Sequence, residues 1–216
     1  AATEDHTGSV DTLDDMSSQF IDPWSNPETD YLLVLTTNGQ VVAMGRVFNN
    51  PSPQRERNAF LWGEVHPLHR GRGLGETILT WMEGRAKQRL LEFPADLPRS
   101  LRTSCHDYLS DRIYLFEKHG FSPIRSFYQM RRDLGQPIPE KNLPACLTLS
   151  HYLPELDQPL MEVFNEAFSD HWGFEPITYE DWQTFIIRSC AFHPELSFLA
   201  LEGDGSSCHI AGLSMN

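Results

Sequence analysis

Only four cysteines occur in the 216 residues, Cys105, Cys146, Cys190 and Cys208, and no two form a C-x-x-C pair. Thiolate zinc sites of that kind are excluded, no metal is expected, and scattered thiols suit a reduced, cytoplasmic protein. No apolar run approaches the ~18–20 residues of a membrane-spanning helix, so no membrane partner is expected. Residues 1–30 hold no Lys or Arg and no apolar core, unlike a secretory leader. Basic residues are missing from all of residues 1–45, which carry eight acidic side chains, and residues 133–216 hold two basic against thirteen acidic.

The middle of the chain is different. Residues 46–132 carry fifteen Lys or Arg against nine Asp or Glu, within a whole of net charge −13. A basic middle suits a compact polyanion. It does not suit nucleic acid, because the whole is acidic and no aromatics interleave the basic stretch. The acidic flanks favour a cationic small molecule as a further partner. With 40% apolar and 22% charged residues, the chain reads as globular.

Along the chain, the pattern predicts a short helix over Asp11–Phe20. Tyr31–Leu35 and Val41–Phe48 flank Asn38-Gly39 and read as a β-hairpin. Ala59–Val65 is a further strand. From Gly75 to about Leu91 the apolar residues Ile78, Leu79, Met82, Ala86 and Leu90 recur at helical spacing, and Pro94 and Pro98 follow. Leu101–Cys105 is a strand candidate, and Ser110–Lys118 a helix ended by Gly120. Ile124–Arg131, with Phe127 and Tyr128, reads as another strand. Three prolines mark Gln136–Pro144 as a linker. The order then begins again, with a strand at Cys146–His151, helices at Leu156–Phe168 and Tyr179–Ile187, and a hairpin of Leu196–Leu201 with His209–Met215.

The segment with the most chemistry is Glu64-Val65-His66-Pro67-Leu68-His69-Arg70-Gly71-Arg72-Gly73-Leu74-Gly75, between a strand and an amphipathic helix. Glycines let a backbone approach a ligand and aim successive N–H groups at one point. A helix N-terminus adds donors and partial positive charge, and Arg70 and Arg72 add full charges. The ligand that fits is a pyrophosphate. The spacing is neither the nucleoside-triphosphate loop, which ends in Lys-Ser or Lys-Thr, nor the G-x-G-x-x-G of dinucleotide folds.

Arg70-x-x-Gly73-x-Gly75 resembles the signature of the GNAT acyltransferases. Val65-His66-Pro67 matches the family's V-x-P stretch before that loop, and Phe116–Phe121 its helix ending in Gly-Phe. The resemblance implies an α/β (α+β) fold: a mixed, mostly antiparallel sheet that splays open, with helices on both faces. It implies acetyl-CoA as cofactor, with Val65, Arg70, Gly71, Arg72, Gly73, Leu74 and Gly75 binding it. It implies direct acyl transfer to the amine of a small molecule. The alternative is a non-catalytic acyl-CoA-binding domain of regulatory role.

Direct transfer needs a general base. Glu64, on the strand beside the expected thioester channel, is the first candidate, with pairing to Arg70 as its structural alternative. His66 titrates in a useful range and is the second, with shaping of the turn as its alternative. The tyrosine that the family places four residues before the Gly of Gly-Phe is Phe116 here, so the resemblance assigns no general acid. Trp24, Trp62 and Trp172 are candidates for an acceptor pocket or for the core. The layout resembles tandem members of the family: residues 1–135 as one GNAT domain, 136–145 as linker, and 146–216 as an incomplete second. Three readings account for the second part: a trimmed piece of a longer protein, which is preferred; a strand and helix at Cys146–Phe168 that complete the first domain; or a half-domain that pairs with another chain, giving a homo-oligomer.

Overall fold

The hairpin around Asn38-Gly39 seeds the first sheet. In the computed structural model, which describes residues 25–49, 55–189, 191–203 and 209–216 together with Leu13, Ser17 and Pro53, Gly39 turns the chain with φ +85°. Strand β1 (Tyr31–Leu35) then pairs antiparallel with β2 (Val41–Asn49), Tyr31 facing Arg46. The helix expected at Asp11–Phe20, apart from Leu13 and Ser17, lies outside the described residues, as do Trp24, Cys190 and Cys208.

β2 is a central strand and its run of apolar residues is buried nearly throughout, as a strand with neighbours on both edges must be. On its other edge runs β3 (Arg57–Val65), antiparallel, with Ala43 opposite Val65 and Asn49 opposite Ala59. Helix α1 (Leu74–Leu91) follows and lays Ile78, Leu79, Met82, Ala86 and Leu90 on the sheet. These are the five residues whose spacing marked the inner face. Each large one contributes about 1.5–3 kcal/mol when fully withdrawn from water. After α1 the chain returns as β4 (Arg99–Arg102), parallel to the start of β3. Helix α2 (Ser110–Lys118) comes next, ending at Gly120 with φ +84°.

The sheet is thus mixed, in the order β1-β2-β3-β4. The strand expected over Ile124–Arg131 does not form. Phe127, Tyr128 and Met130 are exposed there, and no described strand lies beside the segment. β-propensity alone supplies no ladder partner.

By its contacts the chain divides into two units, Ala1–Ser126 and Phe127–Asn216. In the second, β5 (Leu147–His151), β6 (Phe198–Glu202) and β7 (His209–Ser214) form an antiparallel sheet with β6 central. β5 pairs along β6 from Leu147 with Glu202 to His151 with Phe198. Helices α3 (Asp157–Ala167) and α4 (Tyr179–Trp182), the latter continued by a π-helical turn over Gln183–Ile187, join that core through Leu160 and Trp182. Buried Asp157 accepts from Tyr152 Oη and Gln183 Nε2, each at 2.5 Å. Burial, together with the Asp157 carboxylate, pushes the Tyr152 phenol well above its ordinary value.

Candidate active site

β3 outruns β4. The two pair only from Arg57 with Arg99 to Phe60 with Arg102, whereas β3 continues to Val65. The register decides what this leaves open. His66 N–H donates to Val42 O at 2.8 Å, so Glu64 and Trp62, two and four residues back, also aim their backbone groups at β2. Leu61, Gly63 and Val65 aim theirs the other way. Thr103 Oγ1, just past β4, donates to Leu61 O at 3.1 Å. Beyond that bond, the backbone groups of Gly63 and the N–H of Val65 face the opening that the shorter β4 leaves beside β3.

The glycine loop sits at the same end of β3. A 3-10 turn, Pro67–His69, leads into it, and His66 Nδ1 accepts from Leu68 N–H at 3.3 Å to cap that turn. The ring is thereby engaged with the turn. Gly71 and Gly73 both adopt positive φ, +70° and +79°, and a Cβ at either would meet nothing within 4 Å. Here glycine serves the backbone angle and the open space beside it, not packing. Gly73 is the N-cap of α1, and no side chain caps that helix start. Arg70 Nε donates to Val65 O at 3.3 Å and Arg72 to Leu68 O at 3.2 Å, so both guanidinium groups fold along the turn.

Gly75 has a different reason. A Cβ there would come within 3.3 Å of Leu115 Cδ2, so the third glycine lets α2 approach α1. Leu115 and Phe116 both pack on the first core, and Phe116 stacks at a tilt on Phe121, 5.9 Å between ring centroids. Tyr114 is exposed.

One carboxylate stands close to the helix start. Glu76, in the first turn of α1, accepts from Lys118 Nζ at 2.8 and 2.7 Å, and the ammonium holds its carboxyl below the usual range while the Lys118 amine is raised in turn. His119 lies beside it, 2.9 Å from Glu83 and 3.5 Å from Glu76. The end of α2 thereby neutralises a charge that would oppose an anion at Gly71–Gly75.

Glu64 is engaged by a residue that sequence spacing did not indicate. Arg112, in the first turn of α2, donates from Nη1 to Oε1 at 2.9 Å and from Nη2 to Oε2 at 2.6 Å. The expected alternative partner was Arg70. The two residues are 48 apart, on elements with no shared period. Cys105, on the segment leaving β4, senses the same guanidinium: burial pushes its thiol up and Arg112 opposes the shift.

The Gly63 backbone beyond the end of β4, an uncapped helix start and a glycine turn with space beside it together fit the thread-like arm and pyrophosphate of a coenzyme A. The mixed four-stranded sheet beside such a turn agrees with the α/β fold expected. Residues 28–123 match the acetyltransferase (GNAT) domain family.

Among curated relatives, mycothiol acetyltransferase of Frankia alni is 34% identical over 110 residues, covering 50% of this chain and 31% of that protein. The protein of the same name from Stackebrandtia nassauensis is 32% identical over 127 residues, covering 55% and 39%. The matched stretch is thus well under half the length of either relative. A crystal structure of a GCN5-related N-acetyltransferase from Sphaerobacter thermophilus superposes with a TM-score of 0.72 at 24% identity, covering 99% of this chain and 64% of that one. That likeness is one of fold. Among the described residues, no helix is long and apolar enough to cross a membrane.

Proposed function

We propose that this chain is an acetyl-CoA-dependent N-acetyltransferase whose acceptor is the primary amine of a small molecule. The observation that carries this reading is the coincidence, at one end of β3, of the uncapped glycine turn with the Gly63 backbone that β4 leaves without a partner strand. Arg70, Gly71, Arg72, Gly73, Leu74 and Gly75 would hold the pyrophosphate, and the Val65 backbone the pantetheine arm. Acetyl-CoA supplies the acetyl group as an activated thioester.

The chain's own part is to remove a proton and to admit the acceptor. An amine is mostly an ammonium near neutral pH and must lose one proton before its lone pair can attack. Glu64, between the two residues that border the opening, is the base in this reading. His66 is the second candidate, although its Nδ1 is engaged in the turn. A carboxylate there also favours a cationic acceptor. The names of the two relatives put a mycothiol-related amine first among the acceptors to try.

The test is calorimetric titration with acetyl-CoA, followed by thiol release with a panel of small amines. Micromolar binding that Arg70→Ala with Gly73→Val abolishes, and turnover that Glu64→Gln lowers at least tenfold, support the reading. No binding by folded protein overturns it.

A further inference from the structure

Arg112 stands in a position that helix physics disfavours. The first turn of α2 presents unpaired N–H groups and partial positive charge, which suits Asp111 and not a guanidinium. The side chain leaves the helix and forks onto Glu64, both Nη atoms on both carboxylate oxygens. The two side chains are 24% and 27% exposed, so water competes for the pair only in part. A planar fork on a planar carboxylate fixes its tilt and its rotation, which a lysine, as a point charge, does not.

The place of this pair matters as much as its shape. Glu64 lies between Gly63 and Val65, on the stretch of β3 that β4 has already left. Arg112 comes from α2 on the far side of β4 in sequence, and its charge is also felt at Cys105, where the chain leaves β4. One guanidinium thus relates the strand, the segment after β4 and the helix that border the opening.

We propose that Arg112 is a positioning residue for acetyl transfer: its fork orients the Glu64 carboxylate at the opening between β3 and β4 for proton removal from the acceptor amine. This rests on the N-acetyltransferase reading with Glu64 as base. An ionised carboxylate has about four lone-pair sites, so the two bonds from Arg112 leave sites for an ammonium or a bridging water. The acceptor ammonium gives one proton to Glu64. Its nitrogen then forms the C–N bond as the C–S bond breaks, and its second proton goes to the departing thiolate. Glu64 returns its proton to solvent. The products are an amide, a thiol and one proton, and Arg112 stays charged throughout.

The experiment is a double-mutant cycle on the full chain: wild type, Glu64→Gln, Arg112→Gln and the double variant, with Arg112→Lys alongside. Thiol release with the amine panel gives kcat and KM, while calorimetry with acetyl-CoA and thermal melting report the donor site and the fold. Arg112→Gln is expected to lower kcat at least tenfold with acetyl-CoA affinity unchanged. The double variant is expected to be no slower than Glu64→Gln, because residues that act as a unit are not additive. Arg112→Lys recovers only a small part of the rate, and it carries the cycle should Arg112→Gln not fold. Multiplying losses, unchanged turnover, or a loss confined to acetyl-CoA affinity overturns the role of Arg112 while the enzyme reading stands. A wild type that turns over no amine, or Glu64→Gln at full rate, overturns the reading of the site and this role with it.

Discussion

Asp30 and Arg85, 55 residues apart, meet at 2.7 Å where β1 begins, with the carboxylate fully buried against α1. Arg89, one turn further along the helix, takes the other oxygen, which also accepts from Asn26 N–H at 2.6 Å. Asp30 thus pins the entry to the sheet onto the helix whose far end forms the glycine turn. A buried ion pair that loses one partner leaves the other charge stranded, so Asp30→Ala is expected to cost about 3 kcal/mol. Arg85→Ala should cost less, since Arg89 remains. Urea denaturation of the two variants checks the order.

Gly45 is fixed by space. A Cβ there would lie 2.6 Å from Ile78 Cγ2 and 3.2 Å from Met82, so β2 and α1 are in backbone-to-side-chain contact. Gly45→Ala should destabilise by about 1–3 kcal/mol, as overpacking does. In a double-mutant cycle with Ile78→Ala, which removes Cγ2, the two losses should fall short of additive, which separates crowding from any backbone effect.

At Gly73 the reason is the backbone angle alone, because φ is +79° and no atom lies near a would-be Cβ. Gly73→Ala should therefore cost about 1–2 kcal/mol of stability through the left-handed conformation. It should also weaken acetyl-CoA binding more than tenfold, and calorimetry against thermal melting distinguishes the two effects.

Cys105 gives a prediction in pH. Burial raises its thiol and Arg112 lowers it, burial being the larger influence. A raised value means less thiolate at a given pH, and the thiolate is the nucleophile. At pH 8, alkylation of Cys105 should lag behind that of exposed Cys146, and Arg112→Gln should slow it further by removing the opposing charge. Site-resolved mass spectrometry of iodoacetamide labelling reads both rates.

Much of the first unit was legible in the sequence because its signals are local. The hairpin came from Asn38-Gly39 between two apolar runs, and the inner face of α1 from the spacing of five residues. Gly71 and Gly73 announced a special backbone. Other elements were not legible for the same reason. Ile124–Arg131 has the residues of a strand, but a strand is defined by its neighbour, and none is there among the described residues.

By itself the sequence determined the periodic elements and the glycine turn before α1, since 3.6-residue spacing and turn glycines act within a few residues. Only the tertiary structure decided that β3 outruns β4, that Gly75 makes room for Leu115, and that Arg112 holds Glu64. These depend on which atoms meet across dozens of residues, and such meetings are set by the packing of whole elements, which leaves no period in the chain to read.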